Sequence, residues 1–188
     1  MHRADLIDAA LALGFDHAEW IDTQQIVCNQ VFRELCEANA CGLYGKCWMC
    51  PPDAGDIDEL IKRVRSYSNG FVYQSIFKIE DSFDFEGMQE AGSIHVQRSH
   101  RLDEKLRNNG IDGFLHLSKG GCGICPTCSK RENKPCRFPE KAISSLEAYG
   151  INVSATVKST SMKYINGVNT VTYFGMILFK ENNDVCRD

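Results

Sequence analysis

The fold of this chain is decided by residues 168–179, which read VNTVTYFGMILF. A run this long of aromatic and aliphatic residues favours a strand in the interior of a sheet, covered on both faces. Asn166-Gly167 comes just before it, and this dipeptide is typical of a two-residue hairpin turn. We therefore predict a hairpin in which residues 162–165 pair with this strand. Residues 71–79 alternate in character and predict a central strand.

Helical signals alternate with these strands. Five segments carry an apolar helical stripe or the residues that begin and end helices, namely 1–14, 26–39, 56–70, 86–108 and 139–150. Shorter strands are expected at 17–23 and 114–117. The pattern predicts an α/β fold, in detail an α+β sandwich, with a mixed sheet of about four to five strands and helices packed against it. The cysteine-rich loops are expected to extend from this framework as metal loops.

Length and composition restrict the class of protein. The chain has 188 residues, 43% hydrophobic and 24% charged, which fits a single metal-binding domain over residues 1–188. No window of about 18 apolar residues predicts a membrane span, and the polar N-terminal segment argues against a secretory signal. We expect a cytoplasmic protein. A net charge of −4 argues against nucleic acid as a partner. Ten cysteines in a reducing compartment indicate metal ligation and not disulfides.

The most specific motif is a set of four cysteines that we call the C-terminal cysteine group. Its spacing is Cys122-x2-Cys125-x2-Cys128-x7-Cys136. Ferredoxins place three cysteines at the same x2 spacing around a 4Fe-4S cluster, with a fourth cysteine just before a proline. Pro139 follows here, and glycines at 120, 121 and 123 supply backbone that can bend around sulfide and offer free N–H donors. The motif predicts an iron-sulfur site.

A second set of four cysteines forms the N-terminal cysteine group. Its spacing is Cys36-x4-Cys41-x5-Cys47-x2-Cys50, and the turn at residues 42–45 is expected to bring its halves together. This spacing is less diagnostic, because Cys47-x2-Cys50 is equally suited to one zinc ion. The remaining cysteines, one expected to be a buried small side chain and one a tail thiol, are Cys28 and Cys186.

Cys47 decides what the N-terminal cysteine group can do. With four ligands, a cluster can only transfer electrons. If Cys47 is not a ligand, Cys36, Cys41 and Cys50 leave one iron open to solvent or substrate, and that iron can act as a Lewis acid. The sequence leaves both alternatives open.

Three stretches carry a joint pattern. They read Cys36-x4-Cys41-x2-Tyr44-Gly45-x2-Trp48-x-Cys50-Pro51-Pro52, then Gly120-Gly121-Cys122-x2-Cys125-x2-Cys128, then Pro135-Cys136-Arg137-x-Pro139-x7-Glu147-Ala148-Tyr149-Gly150. Over nearly the whole chain this pattern resembles an uncharacterised prokaryotic family, the predicted metal-binding proteins. The resemblance implies cysteine-rich metal binding, commonly in anaerobes, and no settled reaction. It also implies that position 47 is permissive, since small polar residues fit there.

Other polar residues have a functional and a structural interpretation. Arg137 is placed to donate to cluster sulfide, or to pair with a carboxylate. Glu147 and Tyr149 could meet a substrate, or face solvent at the end of a helix. His95 and His100 are expected on the surface of a polar helix and not as ligands.

These observations predict a cytoplasmic iron-sulfur protein with one or two 4Fe-4S clusters. It would serve electron transfer or a cluster-dependent reaction on a small molecule, with an unknown redox partner or substrate and an unknown oligomeric state. One alternative is a structural zinc protein that presents loops to a partner. The other is a protein that delivers metal or clusters to an enzyme. Whether the chain is an enzyme stays open.

Overall fold

The computed structural model describes residues 1–181, 183 and 185. Within this part of the chain there are five α-helices: α1 (Arg3–Ala12), α2 (Val31–Glu37), α3 (Ile57–Arg65), α4 (Phe85–Asn108) and α5 (Val153–Thr156). There are five strands: β1 (His17–Asp22), β2 (Asn69–Lys78), β3 (Leu115–Ser118), β4 (Ser144–Ser145) and β5 (Thr170–Phe179). The predicted α+β class is confirmed.

The strands form one mixed sheet in the order β1-β2-β5-β3-β4. Every neighbouring pair is antiparallel except β3 and β4, which run parallel. β5 is the centre of the sheet and pairs with β2 over ten residues, from Thr170 opposite Lys78 to Phe179 opposite Asn69. Its predicted interior position is confirmed, because strands cover both of its edges.

Helices cover both faces of the sheet. On one face, Leu6 of α1 and Leu102 of α4 pack with Phe71 and Ile177 in one buried cluster. On the other face, residues of α3 and the segment 146–157 pack with Met176 in a second cluster. Successive β5 residues therefore contribute to opposite cores, as the two-residue period of a strand requires.

Two predicted helices differ from the structure at their ends. The segment predicted as a helix over 26–39 is helical only in α2, because Cys28 forms an isolated antiparallel bridge with Ile151. α3 begins as predicted, with Asp56 accepting hydrogen bonds from the backbone N–H groups of its first turn. It ends before Gly70, which lies inside β2, where an added Cβ would come within 3.0 Å of the Ile21 side chain.

The predicted helix over 139–150 is wrong. Ser144–Ser145 form β4 instead, and only Glu147–Tyr149 make a 3₁₀ turn, which ends at Gly150 with φ 72°. The Ser144 hydroxyl donates to the carbonyl oxygen of Met49, 2.6 Å away. Tertiary hydrogen bonds therefore hold this segment extended against its local helical pattern.

The predicted hairpin at Asn166-Gly167 is also wrong. In the described structure residues 162–165 form no strand, and β5 begins only at Thr170. The Asn166 amide donates instead to the carbonyl oxygen of Lys163 at 2.9 Å. β5 finds its partners in β2 and β3, so its pairing depends on segments far away in sequence.

Candidate metal centre

The C-terminal cysteine group follows directly after β3. The loop turns through Gly120 and Gly123, whose φ angles are 62° and 71°. Glycine adopts this left-handed region without strain, so the two residues meet the expectation drawn from the motif. The loop presents Cys122, Cys125 and Cys128 half-buried, and Cys136 follows half-buried after a short 3₁₀ turn.

The N-terminal cysteine group begins on α2 and continues in the turn after it. Cys36 lies on the helix, and Asn39 then takes a left-handed φ of 54°. The Asn39 side chain accepts a hydrogen bond from the backbone N–H of Tyr44, and Gly45 N–H donates to the carbonyl oxygen of Pro51. These bonds close the loop. Along it the first two thiols are half-buried or exposed and the last two are buried, in the order Cys36, Cys41, Cys47 and Cys50.

The two cysteine groups meet at Gly121. A Cβ added to this glycine would lie 3.7 Å from the Cys47 sulfur and 4.0 Å from the Cys50 sulfur. It would also come within 2.9 Å of the Leu43 side chain. The absence of a side chain at Gly121 therefore lets the loop of the C-terminal cysteine group lie against the thiols of the other group.

Cys47 lies between the two groups. It lines a small cavity that it shares with the whole C-terminal cysteine group. Met49, Ile124 and Phe138 supply apolar walls to the same cavity. The structure thus brings five thiols to one space, while the other thiols of the N-terminal cysteine group, Cys36 and Cys41, act electrostatically on Cys50.

Electrostatics couple Cys47 to Cys50 most strongly. A hydrogen bond from the Cys50 thiol, with smaller help from the Cys122 and Met49 backbone, lowers the pKa of Cys47 to about 5. The pKa of Cys50 is raised in turn, by that same hydrogen bond and by burial. The first proton of this pair leaves easily and the second does not. A bound cation would favour the loss of both protons, as it does at thiolate metal sites.

Two further thiols, Cys36 and Cys122, have raised pKa values. Burial raises the pKa of Cys36, and the nearby Cys41 and Glu147 raise it further. Burial likewise raises the pKa of Cys122, with Cys47 and Cys136 adding to the effect. Such neighbouring thiols repel one another once they are deprotonated, because each thiolate carries a negative charge. A bound metal cation offsets this repulsion.

Side chains around the loops fix the cysteines in place. The His100 ring makes a 2.7 Å hydrogen bond with the carbonyl oxygen of Cys122. Arg137 donates to the carbonyl oxygen of Thr127 at 3.0 Å, and a hydrogen bond to Cys125 raises the pKa of the guanidinium. These contacts give the backbone and the sulfurs of the C-terminal cysteine group defined partners.

Trp48 ties the two groups together from outside. Its indole N–H donates to the carbonyl oxygen of Lys134 at 3.0 Å. The Lys130 ammonium lies 4.3 Å from the Trp48 ring centroid and also pairs with Asp53. Trp48 is therefore a bridge between the cysteine loops as well as an apolar cover.

The donor set fits a metal of thiolate chemistry. Cys36 lies on α2 and the other seven sequence-predicted ligands lie in the two adjoining loops, and five of these thiols line the shared cavity. Within the part of the chain that the structure describes, no three His, Cys, Asp or Glu side chains are arranged to hold one metal ion. Two thiolates bound to one zinc ion would lie only about 3.8 Å apart. On a cubane each thiolate would bind a different iron, so neighbouring thiolates would lie further apart.

A comparison with known families bears directly on this centre. The model of a family described as "Predicted metal-binding protein (DUF2284)" matches residues 19–179. The chain belongs to this family. The predicted resemblance is confirmed, and the matched residues include both cysteine groups of the centre. No curated protein and no solved structure matches the chain.

The family match identifies the chain as a predicted metal-binding domain of unknown function. The match spans both cysteine groups and residues of all five strands, beginning within β1. Among the described residues, no helix is long and apolar enough to cross a membrane.

The sequence did not predict the positions and contacts of several residues in this region. His95 was expected on the surface and is fully buried, and His100 contacts the Cys122 loop. Their helix, α4, reads as polar because His95, Ser99 and Asp103 are buried on it beside leucines such as Leu102. Lys119 directly precedes the glycine pair and was missed entirely, although its position next to the motif was a signal. Cys28 is half-buried as a side chain packed against the core, and Cys186 lies outside the described residues.

Proposed function

We propose that this chain is a cytoplasmic iron-sulfur protein that holds two 4Fe-4S clusters in its two cysteine groups. The observation that carries the proposal is the position of Cys47, which contacts Cys50 of its own group and lines a cavity with the C-terminal cysteine group. Two separate segments of sequence are thereby brought to one centre. Such a centre suits electron transfer, or a cluster-dependent reaction on a small molecule.

Three features support iron-sulfur clusters over zinc. The x2 spacing at Cys122, Cys125 and Cys128 is the ferredoxin spacing. Gly120 and Gly123 have the left-handed backbone that allows N–H groups to point at sulfide. Apolar side chains such as Ile124 and Phe138 line the cavity, and a low-polarity surrounding keeps water from the cluster.

The residues have distinct roles in this proposal. The thiolates hold the clusters, and the cluster supplies one-electron redox chemistry when bound. Arg137 places positive charge beside Cys125, which favours the more reduced state of that site. The exposed Cys41 places the N-terminal cysteine group next to solvent, where a partner or substrate has access.

The decisive experiment is metal analysis of protein purified without oxygen. We expect a brown protein with about eight irons and eight acid-labile sulfides per chain, as two cubanes require. Cys125→Ala should lose about half of the iron, whereas the matched Cys28→Ala should lose none, because Cys28 packs against the core and is no ligand. A colourless protein with zinc, and without iron or sulfide even after reconstitution, would contradict the proposal.

Structural zinc binding is the second candidate, and the adjacent thiols of Cys47 and Cys50 favour it. Their sulfurs are both close to Gly121, as in a two-cysteine zinc hook. A zinc protein would lose its metal to a chelator without any colour change and would melt at lower temperature. Rapid transfer of iron or zinc to an apo-enzyme would instead indicate the delivery function.

A further inference from the structure

A groove of about 640 Å³ lies between the cysteine loops and one face of α4. Four thiols line it, those of Cys47, Cys122, Cys125 and Cys128. Gly121 and Gly123 line it as well, so part of the loop beside the sulfurs carries no side chain. The groove therefore gives a second molecule a direct approach to the C-terminal cysteine group.

The charged residues that line this groove are all cations. They are Lys46, Lys119 and Arg131, and each lies within three sequence positions of a cysteine of the groove. In the part of the chain that the structure describes, no carboxylate lines the groove and none forms an ion pair with these three residues. We call this feature the cationic groove. Unpaired cations that line a cleft create a positive potential, which attracts anionic groups.

The fold holds these cations close to the cysteine loops. The backbone N–H of Lys46 donates to the carbonyl oxygen of Leu43 at 3.0 Å, and the backbone N–H of Arg131 donates to that of Cys128 at 3.1 Å. Lys119 is half-buried, with its ammonium 4.8 Å from the centroid of the Tyr173 ring. Lys46 and Arg131 are exposed. One cation is thus fixed inside the groove, and two are accessible from solvent.

The carboxylates nearest to these cations in sequence or in effect have other positions. Glu132 follows Arg131 directly, but its side chain pairs with Lys134. Glu147 acts electrostatically on Lys119, yet it lines a different cavity and makes no ion pair with the ammonium. The positive charge of the groove is therefore not neutralised from within its own walls.

Two other approaches to the cysteines carry mixed charge. In the cavity beside Ile124, Arg107 and Lys141 each form an ion pair with a carboxylate of α4. At Cys36 charges of both signs act, namely those of Arg33, Glu37 and Glu147. Of these three approaches, the cationic groove is the one lined by charges of a single sign.

We propose that the cationic groove is the surface where an acidic electron-transfer protein docks and exchanges one electron with the C-terminal cysteine group. The electron-transfer part rests on the proposed function. One electron moves between the reduced centre and the partner, and no proton or covalent bond changes. The chain has a net charge of −4, so this local positive surface, and not the overall charge, orients an acidic partner.

The position of the cations favours a protein partner over a small anion. A small anion inside the groove would lie beside thiolates of the same sign of charge. A protein can instead place its carboxylates on the exposed Lys46 and Arg131 and remain outside the groove. Electron-transfer complexes are typically small interfaces, so a few such contacts are enough.

Stopped-flow oxidation of the reduced, anaerobically purified protein tests the sign of charge at this surface. The probes are Co(EDTA)⁻ and hexaamminecobalt(III), two one-electron oxidants of opposite charge whose Co(III) is reduced to Co(II). The rate with Co(EDTA)⁻ should fall as salt is added, whereas the net charge of −4 by itself predicts a rise. A rate that rises with salt would overturn the electron-transfer part.

Single variants test the position of the surface. Lys46→Gln, Lys119→Met and Arg131→Gln should each lower the ratio of the Co(EDTA)⁻ rate to the hexaamminecobalt(III) rate at least threefold at low salt. The ratio cancels a change in reduction potential, because both oxidants take the electron from the same centre. Lys158→Gln is the matched control, since Lys158 is exposed beside Val157 on the α3 side of the sheet. Unchanged ratios in all three variants would overturn the assignment.

Calorimetry at low salt tests docking with a flavodoxin, a small acidic electron carrier, as the probe. The double variant Lys46→Gln/Arg131→Gln should bind it at least fivefold more weakly than the parent protein, whereas Lys158→Gln should bind it equally well. No flavodoxin binding, or equal binding in the double variant, would overturn the docking part. Citrate is the small-molecule probe, and one citrate bound per chain that blocks flavodoxin would overturn it too.

The two measurements separate this proposal from the proposed function. Calorimetric binding of flavodoxin does not depend on a reducible centre. Absence of iron would overturn the proposed function and the electron-transfer part together, whereas flavodoxin binding that depends on Lys46 and Arg131 would still establish the docking surface.

Discussion

At the scale of single residues, Cys47 has the most consequential position. It was expected in the N-terminal cysteine group, and its thiol does pair with Cys50. Cys47 also lines the cavity of the C-terminal cysteine group, so five thiols line that cavity. A cubane needs four at most. Cys47 is the thiol of these five that we expect to be dispensable, because the family resemblance marks its position as permissive.

We expect Cys47→Ser to keep its full iron content of about eight per chain. Four thiols remain in the C-terminal cysteine group and three in the N-terminal cysteine group. Iron analysis together with electron paramagnetic resonance of the reduced protein checks this. Cys50→Ser is the comparison, since Cys50 lies only with the N-terminal cysteine group and its loss should remove about half of the iron. If Cys47→Ser also lost half, Cys47 would be an obligatory ligand.

At the scale of elements, β5 contributes side chains to the cores on both faces of the sheet. Gly175 on this strand lies opposite Tyr73 of β2, whose ring covers the glycine. The Tyr73 hydroxyl donates to Ser99 of α4 at 2.9 Å and bonds the His116 ring at 2.6 Å. The ring is thus fixed by contacts with a helix and with β3, and it has no free space to move into.

Gly175→Ala should therefore lower the free energy of unfolding by about 1–3 kcal/mol, the usual cost of overpacking a core. The new Cβ would lie 2.1 Å from the Tyr73 ring and its hydroxyl. Urea denaturation of protein with unchanged metal content measures the effect. Thr170→Ala at the start of the same strand is the control and should cost less, since Thr170 is only half-buried. Equal stability of the two variants would contradict the packing argument.

At the scale of the whole molecule, buried polar groups join α4 to the sheet from which the cysteine loop extends. His95 is fully buried, and its Nδ1 bonds the Ser75 hydroxyl at 2.9 Å. Burial lowers the pKa of His95 to about 3. The pKa of His116 is also lowered by burial, although its bond with Asp103 opposes the shift. Both histidines are neutral in the folded protein at neutral pH.

This arrangement predicts an acid-sensitive fold. An unfolded histidine takes up its proton near pH 6.5, whereas folded His95 takes it up near pH 3, so the contribution to stability is complete above pH 6.5 and is lost as the pH falls towards 3. Between pH 7 and 5 the parent protein should lose about 2 kcal/mol more than His95→Gln.

Urea unfolding at the two pH values, on samples of equal metal content, measures the difference. Any acid-driven loss of metal affects both proteins alike, so the comparison isolates the histidine. Parallel pH profiles of the parent and His95→Gln would contradict the prediction.

The sequence by itself determined the strands that stand out by composition and the residues that bind metal in the proposal. β5 and β2 are long apolar runs, and such runs are buried in most chains that contain them. The cysteine spacing is local, since Cys122, Cys125 and Cys128 lie within one loop, so it was visible without any fold. The polar helix α4 was found from its length and its end signals, although its buried His95 was not.

Only the tertiary structure decided how these parts meet. Ser144 and Ser145 became a strand because β3 and Met49 offered hydrogen bonds that a local helix pattern does not reveal. The meeting of both cysteine groups at Gly121, and the cationic groove that contains Lys119, depend on segments that are far apart in sequence. Local propensity acts over a few residues, whereas such contacts are fixed by the packing of the whole sheet.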